Sequence, residues 1–388
     1  MANRVLAILD SIDIYGKERA NIQVYELLKK NGYEVDILYN VKASENLQNC
    51  ISEFNSVPVP FPRNVKGNFK YLKYVIYWIK SHYILRKQIK KNNPQYILVP
   101  TEIALLYLFL SLFFSKSKVV FRMGDDPIAL RFFKKKKMVG IYHFIWKNII
   151  LNRVDKIVCN AIYIKNNLII SGRKQLPDDV IIYNYPPKRK VHLNEEEAVL
   201  LQPFSNTKDL KFGYIGRVVE EKGVYLLVES ALLLLEEGYN FKLLIAGDFN
   251  YDPVYSEKLK KLLAKSDFSS QIVFLGEIKD SDSFYHSIDV LCVPSIYNEP
   301  SANVVVEAKS CSRGSILFNT GGTPELIKHL VDGYICENVS TESLKKAMLY
   351  YLNDIKSSIE QGKNAFDSIN SLGIDYESFE RKWLDVFK

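Results

Sequence analysis

One pattern, occurring twice, constrains this chain more than any other feature. Short apolar runs of strand length alternate with longer segments of helical periodicity. In the first half the strand-like runs fall at 5–9, 34–39, 96–99 and 119–121, separated by helix-like segments at 20–31, 71–91 and 104–114. In the second half they fall at 211–215, 241–246, 272–275, 290–293 and 315–318, among helix-like segments at 224–237, 256–265 and 304–309. Neighbouring parallel strands need a crossover long enough to hold a helix, and such crossovers are right-handed. The alternation therefore predicts an α/β protein with two doubly wound parallel sheets, and 388 residues suffice for two cores.

Punctuation between the halves marks the division. The Pro186-Pro187 pair, the basic triplet 188–190, the acidic triplet 195–197 and several Ser, Asn and Thr residues cluster before Asp209. The expected organisation is a first domain over 1–190, a linker over 191–209, a second domain over 210–370 and a C-terminal helix over 371–388. That last segment carries Phe379, Trp383 and Phe387 at four-residue spacing, an amphipathic pattern that needs a surface to cover.

Charge divides at the same place. Residues 1–190 hold 32 Lys and Arg against 14 Asp and Glu, net +18, whereas residues 191–388 hold 20 against 30, net −10. Such a split suggests different partners for the two domains. Many of the cations lie among aromatic residues, as in 69–80 and in 131–137 followed by Tyr142, Phe144 and Trp146. A basic, aromatic surface suits an anionic membrane, although lysine runs are commonly solvated faces and aromatic stripes are commonly core. No nucleic-acid module accompanies the charge.

Other classes are excluded by composition. With 47% hydrophobic and 25% charged residues the chain is neither disordered nor of low complexity. Five cysteines without a C-x2-C pair argue against a disulfide framework or a structural zinc site, and point to a reducing cytoplasm. The longest apolar run, 103–114, is too short to span a bilayer and reads as a buried helix, and the run at 5–9 is no signal-peptide core. The five histidines, at 82, 143, 192, 286 and 329, show no metal-ligand spacing.

Three stretches carry chemistry. In the first, the strand ending at Ile215 runs into Gly216-Arg217, a short loop, Lys222-Gly223 and a helix. Gly216 permits a close backbone approach, and two cations near a helix start suit a phosphate. Neither a Walker loop nor a G-x-G-x-x-G fingerprint is present. In the second, Glu299 and Glu307 bracket Pro300-Ser301-Ala302-Asn303-Val304. With a helix starting near Ser301, Glu307 falls in its second turn and Glu299 in the preceding loop, so both reach a ligand lying along the helix start, accepting from hydroxyl groups while backbone N–H groups hold phosphate. In the third, Gly321-Gly322-Thr323-Pro324-Glu325 follows a strand and precedes another helix, with two glycines able to bring the backbone close to a ligand. Each stretch by itself reads equally as an ordinary turn with surface charges.

Together and in order they carry more. Gly216-Arg217, Lys222, Ala246-Gly247, Val273-Phe274-Leu275-Gly276, Ile288-Asp289-Val290, Pro294-Ser295, Glu299 with Glu307, and Gly321-Gly322-Thr323-Pro324-Glu325 resemble the family 4 glycosyltransferases of the GT-B fold over residues 210–340. The resemblance implies two Rossmann-like domains facing across a cleft and a retaining, metal-independent transfer of a sugar from a nucleotide diphosphate donor to a glycan acceptor. The donor is then a substrate and no cofactor is expected. By the resemblance, Arg217 and Lys222 neutralise the leaving diphosphate, Glu299 faces the donor sugar, Glu307 binds ribose hydroxyls, and Gly216, Asn303, Val304, Gly321, Gly322 and Thr323 surround the nucleotide. Gly16, ahead of the first helix, lies near the phosphates or the acceptor.

One position departs from the family pattern. Where many relatives place a His after the strand 119–121, this chain reads Arg122-Met123-Gly124-Asp125-Asp126-Pro127. Asp125 can accept an acceptor proton or bind a sugar hydroxyl, and Arg122 an anionic group; an Asp-Asp-Pro turn closing the strand is the alternative. The functional expectation is an enzyme of bacterial surface polysaccharide or lipopolysaccharide synthesis, working on a lipid-linked acceptor in the cytoplasm or at the inner membrane face. The missing His keeps open a non-catalytic binding protein for sugar nucleotides or glycans, and a GT-B epimerase is a third reading.

Overall fold

The computed structural model describes residues 3–63, 65, 67, 69–127, 144–172, 179–186, 209–278 and 280–388. All of the expected linker 191–209 except Asp209, both charged triplets, the basic run 131–137 with Tyr142, and the histidines at 143 and 192 lie outside the described residues.

The chain forms two compact units, Met1–Tyr183 together with Phe379–Lys388, and Asn184–Ser378. The sheet of the first contains β1 (Arg4–Leu9), β2 (Glu34–Asn40), β3 (Asn55–Val59), β4 (Tyr96–Val99), β5 (Lys118–Met123), β6 (Lys156–Cys159) and β7 (Val180–Ile181). They lie in the order β3-β2-β1-β4-β5-β6-β7, and every pairing is parallel. The second sheet contains β8 (Leu210–Ile215), β9 (Phe241–Ala246), β10 (Ile272–Gly276), β11 (Val290–Val293), β12 (Gly314–Phe318) and β13 (Gly333–Cys336), in the parallel order β10-β9-β8-β11-β12-β13.

The central strands are continuous apolar runs because helices cover both faces of a parallel sheet. Val5 to Leu9 and Tyr96 to Val99 are all buried, as are Val290 to Val293. In each sheet the chain works outward from its first strand in one direction, then returns to that strand's other side. This leaves a switch point between β1 and β4 and another between β8 and β11, where loops diverge beyond the carboxyl ends and open a crevice.

The amphipathic C-terminal segment is the helix Tyr376–Val386, and from Phe379 onward it belongs to the first unit. Phe379, Trp383 and Phe387 are fully buried, with Phe387 edge-on to Tyr96 at 5.0 Å and to Tyr33 at 5.9 Å. Two sequence expectations change. The apolar segment at 104–114 is the helix Glu102–Phe113, but only one side is buried, and Ile103, Leu110, Phe113 and Phe114 are exposed because nothing among the described residues covers the outer side of that layer. The helix expected after Gly321-Gly322 is a single 3-10 turn, Thr323–Leu326.

Candidate active site

The three informative stretches converge at the β8/β11 switch point. After β8 the chain passes Gly216 and Arg217, makes a 3-10 turn over Glu220–Lys222, and enters the helix Val224–Glu236 through Gly223. Gly223 has φ of 67°, and a Cβ there would lie 1.9 Å from the Pro294 carbonyl oxygen, so only glycine lets this turn sit against the end of β11. The Ile296 amide donates to the Glu221 carbonyl at 3.0 Å and ties the two loops.

Those loops hold Lys222 and Glu299 together. Lys222 Nζ lies 2.6 Å from Glu299 Oε1, both side chains are mostly shielded at 16% and 13% exposure, and Ser295 Oγ donates to Glu299 Oε2 at 2.6 Å. The Tyr297 ring lies 5.2 Å from Lys222 Nζ, a cation–π distance. The Glu299 carbonyl accepts from the Gly322 amide at 2.9 Å, and Thr320 Oγ1 donates to the Ser295 carbonyl at 3.0 Å. The glycine loop thus fixes the backbone on which the acid stands.

Arg217 is more exposed. Its guanidinium donates to Tyr251 Oη at 3.2 Å, lies 5.4 Å from that ring's centre, and approaches Glu221 at 3.6 Å. Burial pulls its pKa down, but the Tyr251 hydroxyl and the Glu221 carboxylate outweigh that and raise it, so it stays a cation. Beneath it, Tyr214 Oη donates to the Arg217 carbonyl at 2.6 Å; burial, and then the charge of Glu299, hold the phenol well above its ordinary pKa.

The helix after Glu299 is Asn303–Ser310, beginning two residues later than expected, and Glu307 does fall in its second turn. Tyr285 Oη donates to Glu307 Oε2 at 2.7 Å, and Asn184 Nδ2 donates to Asn303 Oδ1 at 2.6 Å. No side chain caps this helix, so the amides of Asn303 and Val304 stand at its start. Buried Lys309, two residues after Glu307, pairs with Asp332 at 2.8 Å and donates to Ser368 Oγ at 2.9 Å, which anchors the far side of the helix.

Direct contacts therefore join Lys222, Glu299, Gly321, Gly322 and Thr323, whereas Arg217, Asn303 and Glu307 are engaged by separate partners. Tyr251, Tyr285, Tyr297 and Asn184 were not foreseen as site residues; none belongs to a motif, and their only sequence signal is aromatic or amide character near one.

Gly16 and Asp125 belong to the first unit. Gly16 is the first residue of the helix Gly16–Lys30, whose start is stapled by Glu18, accepting from Ser11 Oγ at 2.6 Å and from the Tyr15 amide at 3.2 Å. Lys17 of that helix pairs with Asp125 in the loop after β5. The neighbouring Asp126 accepts from Tyr163 Oη at 3.1 Å and Asn167 Nδ2 at 2.7 Å, which holds that loop. Arg122 does not face outward: it is buried, donates to Asn21, and lies 5.8 Å from the Trp383 ring, and burial lowers its pKa to about 10 against the raising effect of Tyr25. Among the described residues no three His, Cys, Asp or Glu side chains gather as a metal site.

This architecture defines a class. Two parallel sheets, each with a switch point and arranged in one chain, form the GT-B fold. A glycosyltransferase from Rickettsia africae superposes with a TM-score of 0.80 at 18% identity, covering 100% of this chain and 98% of that one. Anabaena Alr3699/HepE, whose crystal structure is in complex with UDP and glucose, superposes at 0.77 with 15% identity and 98% coverage of each chain.

Sequence comparison adds likenesses confined largely to the second unit. Residues 197–368 match the model described as "Glycosyl transferases group 1". The chain is 27% identical over 142 residues to the capsular polysaccharide biosynthesis glycosyltransferase CapM of Staphylococcus aureus, covering 37% of this chain and 36% of the relative. It is 26% identical over 160 residues to the lipopolysaccharide core biosynthesis mannosyltransferase LpcC of Rhizobium leguminosarum bv. viciae, covering 41% and 45%. The chain thus spans less than half the length of these curated relatives.

Proposed function

We propose that the chain is a retaining, metal-independent glycosyltransferase that moves a sugar from a nucleotide diphosphate donor to a glycan acceptor, in the synthesis of a bacterial surface polysaccharide or lipopolysaccharide. The observation that carries this reading is the shielded Lys222–Glu299 pair at the β8/β11 switch point, with its acid clamped by the glycine loop. Cations and hydroxyl acceptors are both needed for a sugar diphosphate, and here they stand side by side. The capsular and lipopolysaccharide relatives, and the UDP and glucose bound by HepE, support the choice of substrates.

In this reading the second unit holds the donor. Arg217 and Lys222 offset the negative charge that builds on the diphosphate as the anomeric C–O bond breaks, with the amides of Gly216, Asn303 and Val304 donating to phosphate oxygens. Glu299 accepts from sugar hydroxyls, Glu307 accepts from the ribose hydroxyls, and Gly321 to Thr323 line the nucleotide. The acceptor hydroxyl attacks the anomeric carbon on the face the diphosphate leaves, and its proton passes to the departing phosphate oxygen, so configuration is kept. In the first unit, the helix start at Gly16 and the carboxylate of Asp125 orient the acceptor. A lipid-linked acceptor at the inner membrane face suits the basic first half.

The test is transfer from a panel of radiolabelled nucleotide sugars, with product anomeric configuration read by NMR and the reaction repeated with a chelator. Lys222→Ala and Glu307→Ala are expected to abolish transfer with unchanged circular dichroism. Unchanged turnover in either variant removes the donor site assigned here.

A further inference from the structure

The helix Lys70–Asn92 carries an apolar stripe that nothing among the described residues covers. Its inner side joins the core of the first unit through Ser81 and Leu85, both fully buried, with Trp78 and Ile84 packed on the same cluster. On the outer side Tyr71, Leu72, Val75, Ile76, Ile79 and Tyr83 are 39% to 78% exposed. Their spacing puts them along one side of the helix over about 18 Å. Every residue from 69 to 76 is exposed, so the first two turns stand clear of the body of the unit.

Cations border the stripe. Lys73, Lys80 and Lys87 recur every seventh residue along its edge and Lys91 follows; all four are exposed. The helix holds seven Lys and Arg residues and no Asp or Glu. The apolar surface continues onto the adjoining helix Glu102–Phe113, where Arg86 lies 5.5 Å from the ring of exposed Phe114.

We propose that this face docks on an anionic lipid bilayer, with the helix lying in the plane of the interface. Tyrosine rings and aliphatic side chains along one side suit the headgroup and upper acyl region, and lysines along the edge can lay their stems over the apolar stripe while their ammonium groups meet lipid phosphates. Charge decides the occupant. A seven-cation helix without acids, in a half-chain of net +18, is complementary to a surface of uniformly negative sign. The contact is peripheral, because no helix among the described residues is long and apolar enough to cross a membrane. The proposal deepens the lipid-linked acceptor of the reading above, yet its test needs no sugar transfer, so either can fail alone.

The experiment is flotation of the full chain with vesicles of phosphatidylglycerol and phosphatidylcholine, and with phosphatidylcholine alone, at low and high salt. The chain should float with the anionic vesicles at low salt and be released by high salt. The combined Lys73→Gln, Lys80→Gln and Lys87→Gln substitutions, and separately Leu72→Ser, Val75→Ser and Ile79→Ser, should each lower partitioning about tenfold or more. An environment-sensitive dye on Val75→Cys, in a Cys50→Ser background, should shift to the blue on vesicle addition, and the same dye on Glu53→Cys should not. Absence of flotation, equal flotation of both triple variants and the parent, or an unshifted dye at position 75 overturns the proposal. So does a dimer in solution that the apolar triple variant splits without any vesicle binding by the parent, since that assigns the face to a second copy.

Discussion

Gly321 sits against the backbone of Glu299 so closely that a Cβ on it would lie 2.2 Å from the Glu299 carbonyl oxygen and 2.6 Å from its amide nitrogen. Its φ of 63° is also one that side chains disfavour. Gly321→Ala therefore pushes the acid's loop away from Lys222 as well as straining its own. In the proposed enzyme kcat/KM should fall about tenfold or more, and the melting temperature of the purified variant should drop by the equivalent of about 1 to 3 kcal/mol. A variant with parental activity and stability would mean that the clamp does not position Glu299.

Lys222 and Glu299 are shielded enough for their coupling to be measurable. A double-mutant cycle with Lys222→Met and Glu299→Gln, followed by denaturant unfolding, should give an interaction of about 1 to 3 kcal/mol. The activity effect is larger if Lys222 also offsets the leaving diphosphate: kcat should fall about a hundred- to a thousandfold, as for loss of one preorganised donor. Loss of coupling alone, with kcat unchanged, would make the pair structural.

Much of this arrangement was readable from the chain. The strands β4 and β11 fall where continuous apolar runs fall, because a strand covered on both faces has no polar alternation to blur its ends. The strand β3 was not readable: Asn55, Ser56 and Pro58 deprive this sheet-edge segment of that signal. Its counterpart β7 has two residues, too few for any periodicity. At the site, Lys222 and Glu299 were each conspicuous beside glycine or proline, but their contact spans 77 residues and arises from the order of strands β8 and β11. Tyr285 supports Glu307 from a helix with no motif, and Arg122, polar in sequence and near a strand end, turned out to be buried under the C-terminal helix.

That support from Tyr285 makes a graded prediction. The phenol donates to Glu307 Oε2 at 2.7 Å, which orients the carboxylate that the proposed function assigns to the donor's ribose. Tyr285→Phe removes one hydrogen bond and little volume, so the donor KM should rise about three- to tenfold with kcat nearly unchanged, the pattern for loss of binding common to ground and transition states. A fall in kcat at constant KM would assign Glu307 to the chemical step instead.

The cysteines separate by burial. Cys50 is exposed, whereas Cys159, Cys292, Cys311 and Cys336 are buried. Burial pushes the Cys336 thiol up to about 12 and Cys292 higher still, so both remain protonated and unreactive at pH 8. Titration of the native protein with a thiol reagent should show one fast-reacting group, absent from Cys50→Ser, and the other four only after unfolding. A second fast thiol in the native state would contradict the burial of these four side chains.

The last helix supplies the strongest stability prediction, because residues at the end of the chain complete a core begun at its start. Trp383 is fully buried among Phe379, Phe387 and Arg122, at 6.1, 6.3 and 5.8 Å. Removing its ring empties a large volume that β-strand neighbours cannot refill, and uncovers a buried guanidinium, so Trp383→Ala should cost about 3 to 5 kcal/mol. The loss belongs to the first unit. Amide exchange should accelerate in β1 and β4, which lie under this helix through Tyr96, and stay slow in β8 and β11. Faster exchange confined to the second unit would show that the helix stabilises Asn184–Ser378, the segment it follows, and that its contacts with Tyr33, Tyr96 and Arg122 contribute little.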